Sequence, residues 1–196
     1  IDFHGAGLKD KDIKAVMVLK EGAVYIQEVL YSDIENLREF YTALGHIYAK
    51  IHDPVVRIEN HLAKVSITIE EGIQVVVDEV VIEGMEGMPY ERIEKAVNIK
   101  KGSLYNEVDI SNARYRVIDI YTENGFIDAD VDVKKRVDGD KAQITFSIKE
   151  GALTFFGKTV ITGNKRTKTE VLERELQFRE SGPFSFNLMT RQRQRL

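Results

Sequence analysis

Tandem β-α-α-β-β modules of the α+β class are the architecture expected of this chain. A repeat in its glycines and a recurrent switch of hydrophobic period lead there. Gly5, Gly84 and Gly163 recur at a spacing of 79, as does Glu71-Gly72 with Glu150-Gly151. With one residue added inside the unit, Gly22, Gly102 and Gly182 align at 80, and so do Tyr41-x-x-x-Gly45 and Tyr121-x-x-x-Gly125. The boundaries that follow are 1–72, 73–151 and an incomplete copy at 152–196. Leu196 falls about midway through the third copy's second helix, so an interior piece of a longer polypeptide is expected.

The elements of one module can be taken in order from the middle copy. Val80 to Glu83 is a β-branched run ending at Gly84, as a buried strand would. Pro89 fits a first helical position, with Ile93, Ala96 and Val97 at helical spacing. The third copy opens the same helix with Thr167-Lys168-Thr169-Glu170, which reads as a capping box ahead of Val171, Leu172 and Leu176. Gly102 and Gly182 follow it, where a left-handed residue is wanted. The second helix has its apolar face at Ala113, Val117, Ile120 and Tyr121, matched in the first copy by Ile34, Leu37, Tyr41 and Leu44. Gly125 and Gly45 stop it.

From Ile127 the period changes to two. Ile127, Ala129, Val131 and Val133 alternate with Asp128, Asp130, Asp132 and Lys134, a strand expected to place the first set under the helices and the aspartates on the open face. Asp138-Gly139 turns the chain into Ile144, Phe146 and Ile148, a hairpin signal. In the first copy the hairpin is Ile47 to Ile58 and Leu62 to Ile69, with Pro54 marking an edge or bulged strand. About eight residues, Gly72 to Glu79 and Gly151 to Lys158, separate successive modules. They lack the composition of a floppy linker, so a restricted mutual orientation is expected.

Hydrophobic residues at 43% and charged residues at 31% suit packed globular modules. No apolar stretch approaches the roughly 20 residues that span a bilayer. The absence of cysteine excludes disulfides, catalytic thiols and cysteine-based zinc sites. A net charge of −4 gives no global attraction to nucleic acid or anionic lipid.

This order of landmarks resembles the POTRA (polypeptide-transport-associated) domain. The residues carrying the likeness are Gly163-Asn164 after Val160-Ile161-Thr162, Tyr121-Thr122-Glu123-Asn124-Gly125-Phe126, Ile148-Lys149-Glu150-Gly151, and Phe156-Gly157 ahead of the third copy's first strand. Gly84-Met85, Gly5-Ala6 and Gly45-His46 depart from its pattern. The resemblance implies a three-stranded mixed sheet covered on one face by two helices, with strand order first, third, second. The first and third strands would be parallel and the second on an exposed edge. It implies a non-enzymatic periplasmic arm of a BamA-like outer-membrane barrel assembly factor. Relatives in two-partner secretion, autotransporter assembly or chloroplast import, and a division-type interaction module, are the alternatives. Implied partners are unfolded outer-membrane protein clients, accessory lipoproteins of an assembly complex, and a C-terminal membrane β-barrel of the same polypeptide, with no cofactor and no nucleic acid. The candidate partner-binding strand is then Phe126, Ile127, Asp128, Ala129, Asp130, Val131, Asp132 and Val133, and the structural glycines are Gly45, Gly84, Gly125 and Gly163. An unpaired edge offers backbone donors and acceptors to an extended client whatever its sequence.

Other chemistries fit poorly. Gly84-Met85-Glu86-Gly87 follows a strand and contains a glutamate, unlike an RNA-clamping Gly-x-x-Gly loop. Asp128-x-Asp130-x-Asp132 lacks the glycine and glutamate of a calcium loop, since Val133 and Gly139 stand in their places. The histidines at 4, 46, 52 and 61 show no ligand spacing, and no nucleophile or phosphate-loop motif is present. Arg191-Gln192-Arg193-Gln194-Arg195 reads as a solvated helix face.

Overall fold

The computed structural model describes residues 1–176 and 178–195. It divides into two compact units, Ile1–Val80 with Ile99–Asp109 and Lys135–Ile144, and Val81–Asn98 with Ile110–Lys134 and Thr145–Leu196.

The first module runs β1 (Asp2–His4), α1 (Asp10–Val16), α2 (Gln27–Ala43), β2 (Lys50–Ile51), β3 (Val55–Glu59) and β4 (Leu62–Glu70). β4 is central. β1 lies parallel to it from Asp2 opposite Ser66 to His4 opposite Thr68, and β3 antiparallel from Val55 opposite Ser66 to Glu59 opposite Leu62. Alternation along β4 sends Val65, Ile67 and Ile69 into a core completed by Ile13 of α1, Met17 just after it, and Leu30, Ile34, Leu37 and Tyr41 of α2. Pro54 lacks a ladder donor, and it breaks the edge strand into β2 and β3, with His52 still donating to the Thr68 carbonyl at 3.0 Å. Asn60 and His61, both at positive φ, form the two-residue loop between β3 and β4. A buried carboxylate that sequence periodicity did not reveal, Asp33, accepts the N–H groups of Val18 (2.6 Å) and Leu19 (2.8 Å). It thereby fixes the loop between α1 and α2.

The second module repeats the plan with β5 (Val76–Glu83), α3 (Tyr90–Val97), α4 (Glu107–Glu123), β6 (Asp130–Asp138) and β7 (Lys141–Lys149), in sheet order β5-β7-β6. First, third, second is therefore the strand order in both complete modules. Buried in this module are Ile93, Ala96 and Val97 of α3, Ile110, Ala113, Val117 and Tyr121 of α4, and Ala142, Ile144, Phe146 and Ile148 of β7.

Several local expectations are corrected. Pro89 is the cap, with ψ 137, and the helix begins one residue later. It is Asn98, left-handed at φ 51, that ends α3, four residues before Gly102. The hairpin loop is Gly139-Asp140, with Asp138 still in β6. β5 begins at Val76, so the non-strand linker is shorter than eight residues.

The third module contains α5 (Thr169–Glu175) and α6 (Phe186–Arg195). Val160 to Thr162, expected as a strand, forms none here. No capping box forms either: the cap is Lys168 without a side-chain bond. The Asn164 amide spans this turn instead, donating to the Thr167 carbonyl and the Thr169 hydroxyl, both at 3.0 Å. Gly182 lacks the left-handed conformation expected of it. Ser181, at φ 61, takes the place of Gly102, so the repeat keeps the spacing of 79 here and not 80. In the basic tail Arg191 is exposed but Gln192 is buried, against the expected solvated face, and the side chains of 193–195 lie outside the described residues.

Candidate partner-binding site

The strand expected to accept a partner is at the edge of its sheet, but only part of it is strand. Phe126, Ile127, Asp128 and Ala129 form a turn closed by the Ala129 N–H on the Phe126 carbonyl at 3.2 Å. The cause is local packing. Gly125 leaves α4 at φ +97, Phe126 turns edge-on to Tyr121 with centroids 5.6 Å apart, and Asp128 comes against Gly151, where a Cβ would meet its own at 3.1 Å. Ile127 is consequently 37% exposed and does not lie under the helices, and Ala129 is only half-buried. From Asp130 the alternation holds: Val131 is fully buried, Val133 half-buried, Asp130 and Asp132 exposed.

The start of this edge is already occupied. Arg114 of α4 donates its Nε to the Val131 carbonyl at 2.6 Å and its Nη2 to the Asp130 carboxylate at 2.8 Å. Backbone groups along a strand face alternate sides. The outward set that begins with the capped Val131 therefore continues through Val133, Lys135 and Val137 as the open acceptor. Lys135 is tied by its ammonium to Glu107 at 2.6 Å, and Glu107 also accepts the Tyr105 hydroxyl. Burial would raise the Glu107 carboxyl, but the bonds from Lys135 and Tyr105 outweigh it and leave it lowered. In the first module Arg38 reaches the corresponding Ile51 carbonyl more weakly, at 3.5 Å.

The loop Gly84 to Gly87 is closed from within. Glu150 accepts the N–H of Glu86 (2.8 Å), the N–H of Gly87 (2.9 Å) and the hydroxyl of Tyr121 (2.9 Å). Burial works to raise the Glu150 carboxyl, yet these three donors prevail and hold it below the usual carboxylate range. The Tyr121 phenol is pushed up, first by burial and then by the carboxylate beside it. Glu71 does the same work in the first module, accepting the N–H of Gly7 (2.7 Å) and Leu8 (3.2 Å). The N–H groups that a phosphate would need are thus spent on a carboxylate.

The four structural glycines divide into two pairs. Gly84 (φ +83) leaves β5 and Gly163 (φ +84) follows Val160 to Thr162; a Cβ on Gly84 would sit 2.2 Å from the Ile148 carbonyl oxygen, while one on Gly163 would meet nothing within 4 Å. Gly45 (φ +82) and Gly125 (φ +97) leave second helices, and each also receives the following linker. Val75 N–H donates to the Gly45 carbonyl at 2.8 Å and Thr154 N–H to the Gly125 carbonyl at 2.7 Å. Sequence reasoning missed this second role.

The description "POTRA: Surface antigen variable number repeat" matches residues 1–72, 75–151 and 154–196. The chain belongs to the POTRA family. Relatives include "Outer membrane protein assembly factor BamA" of Neisseria meningitidis serogroup B, 24% identical over all of this chain and 26% of that protein. "Putative outer membrane protein assembly factor" of Treponema pallidum is 25% identical over 88% of this chain and 22% of that protein. The chain thus spans about a quarter of the relatives it matches. The solved POTRA3-5 of Haemophilus influenzae BamA shares the fold with a TM-score of 0.58 at 18% identity, covering 99% of this chain and 82% of that one.

Proposed function

We propose that these POTRA modules form a non-catalytic periplasmic scaffold in outer-membrane β-barrel assembly, holding unfolded clients in extended form on the free edges of their sheets. The carrying observation is the run Asp132 to Asp138 of β6, at the edge of its sheet. Its carboxylate at Asp132 and ammonium groups at Lys134 and Lys135 discourage pairing with a second copy while leaving backbone groups accessible. Each backbone bond exchanged with water yields only ~0.5 to 1.5 kcal/mol, and association entropy opposes it, so binding is weak and sequence-tolerant, no tighter than the high-micromolar range. The barrel of the same polypeptide would tether the scaffold beneath the outer membrane, and accessory lipoproteins would dock on helix faces and module junctions.

The family match and the similarity to proteins described as assembly factors support this reading. Light scattering tests it. The chain at millimolar concentration should slow aggregation of a urea-diluted outer-membrane barrel protein; an unchanged time course would overturn client holding.

A further inference from the structure

The last turn of the first helix is closed by a side chain of the second helix in one complete module and left open in the other. Ile13 and Ile93, Met17 and Val97, and Tyr41 and Tyr121 are buried in pairs at a spacing of 80, which sets the correspondence. In the second module Arg116 of α4 reaches across to the end of α3. Its Nε donates to the Ala96 carbonyl at 2.7 Å and its Nη2 to the Val97 carbonyl at 3.0 Å. Carbonyls in a helix's last turn have no partner within the helix, and the two-pronged guanidinium supplies donors to both. Farther along the same face of α4, Glu123 accepts the Ser185 hydroxyl at 2.7 Å.

The first module has neither closure. Asn36, without a charge, stands at the place of Arg116, and Ala43 at the place of Glu123. Asn106, which matches Ser185 at a spacing of 79, turns its amide oxygen onto the N–H groups of Val108 (2.8 Å) and Asp109 (3.3 Å) in its own helix. Lys20 donates to the carbonyls of Lys14 (2.8 Å) and Met17 (2.6 Å). The carbonyl of Val16, the counterpart of Ala96, accepts no hydrogen bond among the described residues. What remains is an open groove of about 700 Å³, with every wall inside the first compact unit. Val16, Phe40, Ala43 and Val108 give it an apolar lining, and Val108 is 64% exposed. Of the charged groups on its walls, Arg38 is paired with Glu35 and Glu107 with Lys135. The exposed Glu39 carboxylate has no ion-pair partner among the described residues.

We infer that this groove is the docking site of a partner protein that inserts an arginine carried between apolar side chains. The chemistry of the occupant is read from the second module, where the chain's own Arg116 fills the corresponding place. The incoming guanidinium donates to the Val16 carbonyl and faces the Glu39 carboxylate, while its apolar neighbours cover Phe40, Ala43 and Val108. Arginine suits the place better than lysine, because its planar fork serves two acceptors at once and is more weakly hydrated. An arginine anchor over an apolar patch is also the composition that concentrates binding energy at interface centres. The inference rests on the docking of accessory proteins on helix faces proposed above, and gives that docking a place and a recognised group away from the sheet edge.

The probes are two peptides titrated into the isotope-labelled chain, acetyl-Ala-Leu-Arg-Leu-Ala-amide and the same sequence with norleucine in place of arginine. The arginine peptide should shift the amides of Glu39, Phe40 and Ala43 and saturate, and the norleucine peptide should bind about tenfold more weakly or worse. Asn36→Arg, which supplies the guanidinium from within, should weaken binding of the arginine peptide by about tenfold or more while leaving the thermal midpoint no lower than that of the parent chain. Equal binding of the two peptides, unmoved groove amides, or undiminished binding by Asn36→Arg would each overturn the site. The peptide comparison needs no variant, so it decides even if Asn36→Arg loses stability. Arginine-dependent shifts confined to α3 and α4 would overturn the groove while leaving helix-face docking intact. Groove binding of the arginine peptide, with accessory lipoproteins moving no helix amide, would support the groove and remove those lipoproteins as its partners.

Discussion

Three donors converge on Glu150, and its lowered carboxyl makes the second module's stability depend on acid pH. A depressed native value means the contribution is present above the unfolded carboxyl pKa, about 4.3, and is lost as pH falls through the native value. Glu150→Ala should cost about 1.5 to 3 kcal/mol near neutral pH and flatten the acid limb of a denaturation-midpoint profile; an unchanged limb would contradict the assignment. Gly125 is doubly constrained. Its left-handed φ alone costs a β-branched residue ~1 kcal/mol or more, and a Cβ would stand 2.9 Å from the Thr154 carbonyl oxygen. Gly125→Val should therefore lower the chemical-denaturation midpoint and release protection of the Thr154 amide, while equal midpoints would mean the turn is not strained. The glycine's helix-stop role was legible from the switch of period after it. Its contact with the linker was not, because only the fold brings residue 154 to residue 125.

The edge strand shows how far pattern reaches into an element. Alternation correctly marked Val131 and Val133 but was carried back to Ile127, since Phe126 to Ala129 alternates by composition while the Tyr121 contact and the Gly151 approach bend it into a turn. Nothing in the sequence announced that Arg114 would cap the Val131 carbonyl, a contact across 17 residues. Removing that cap has a directional consequence. Arg114→Ala should extend a bound peptide's footprint to the Val131 amide and tighten binding modestly, within about tenfold, and no change in footprint would mean the guanidinium does not limit the edge. The first module's edge should be the poorer acceptor, because Pro54 interrupts it between β2 and β3; peptide-induced shifts in Val55–Glu59 as large as those in Asp132–Asp138 would contradict this.

Across the whole molecule, the element order of a module was legible because the repeat is carried by glycines whose backbone roles recur, whereas the strand order across the sheet came only from the family resemblance. In the third copy Val160 to Thr162 forms no strand despite its β-branched composition. Tertiary pairing, and not propensity, decides such a run. The account as a whole turns on backbone capture at a sheet edge, and amide-resolved titration of the labelled chain with an extended barrel-strand peptide measures it directly. Saturable shifts at Val133, Lys135 and Val137, with a dissociation constant no tighter than the high-micromolar range, are the predicted result. Shifts confined to α3 and α4, with Asp132–Asp138 unmoved, would contradict edge capture in this module and point to docking on the helix faces.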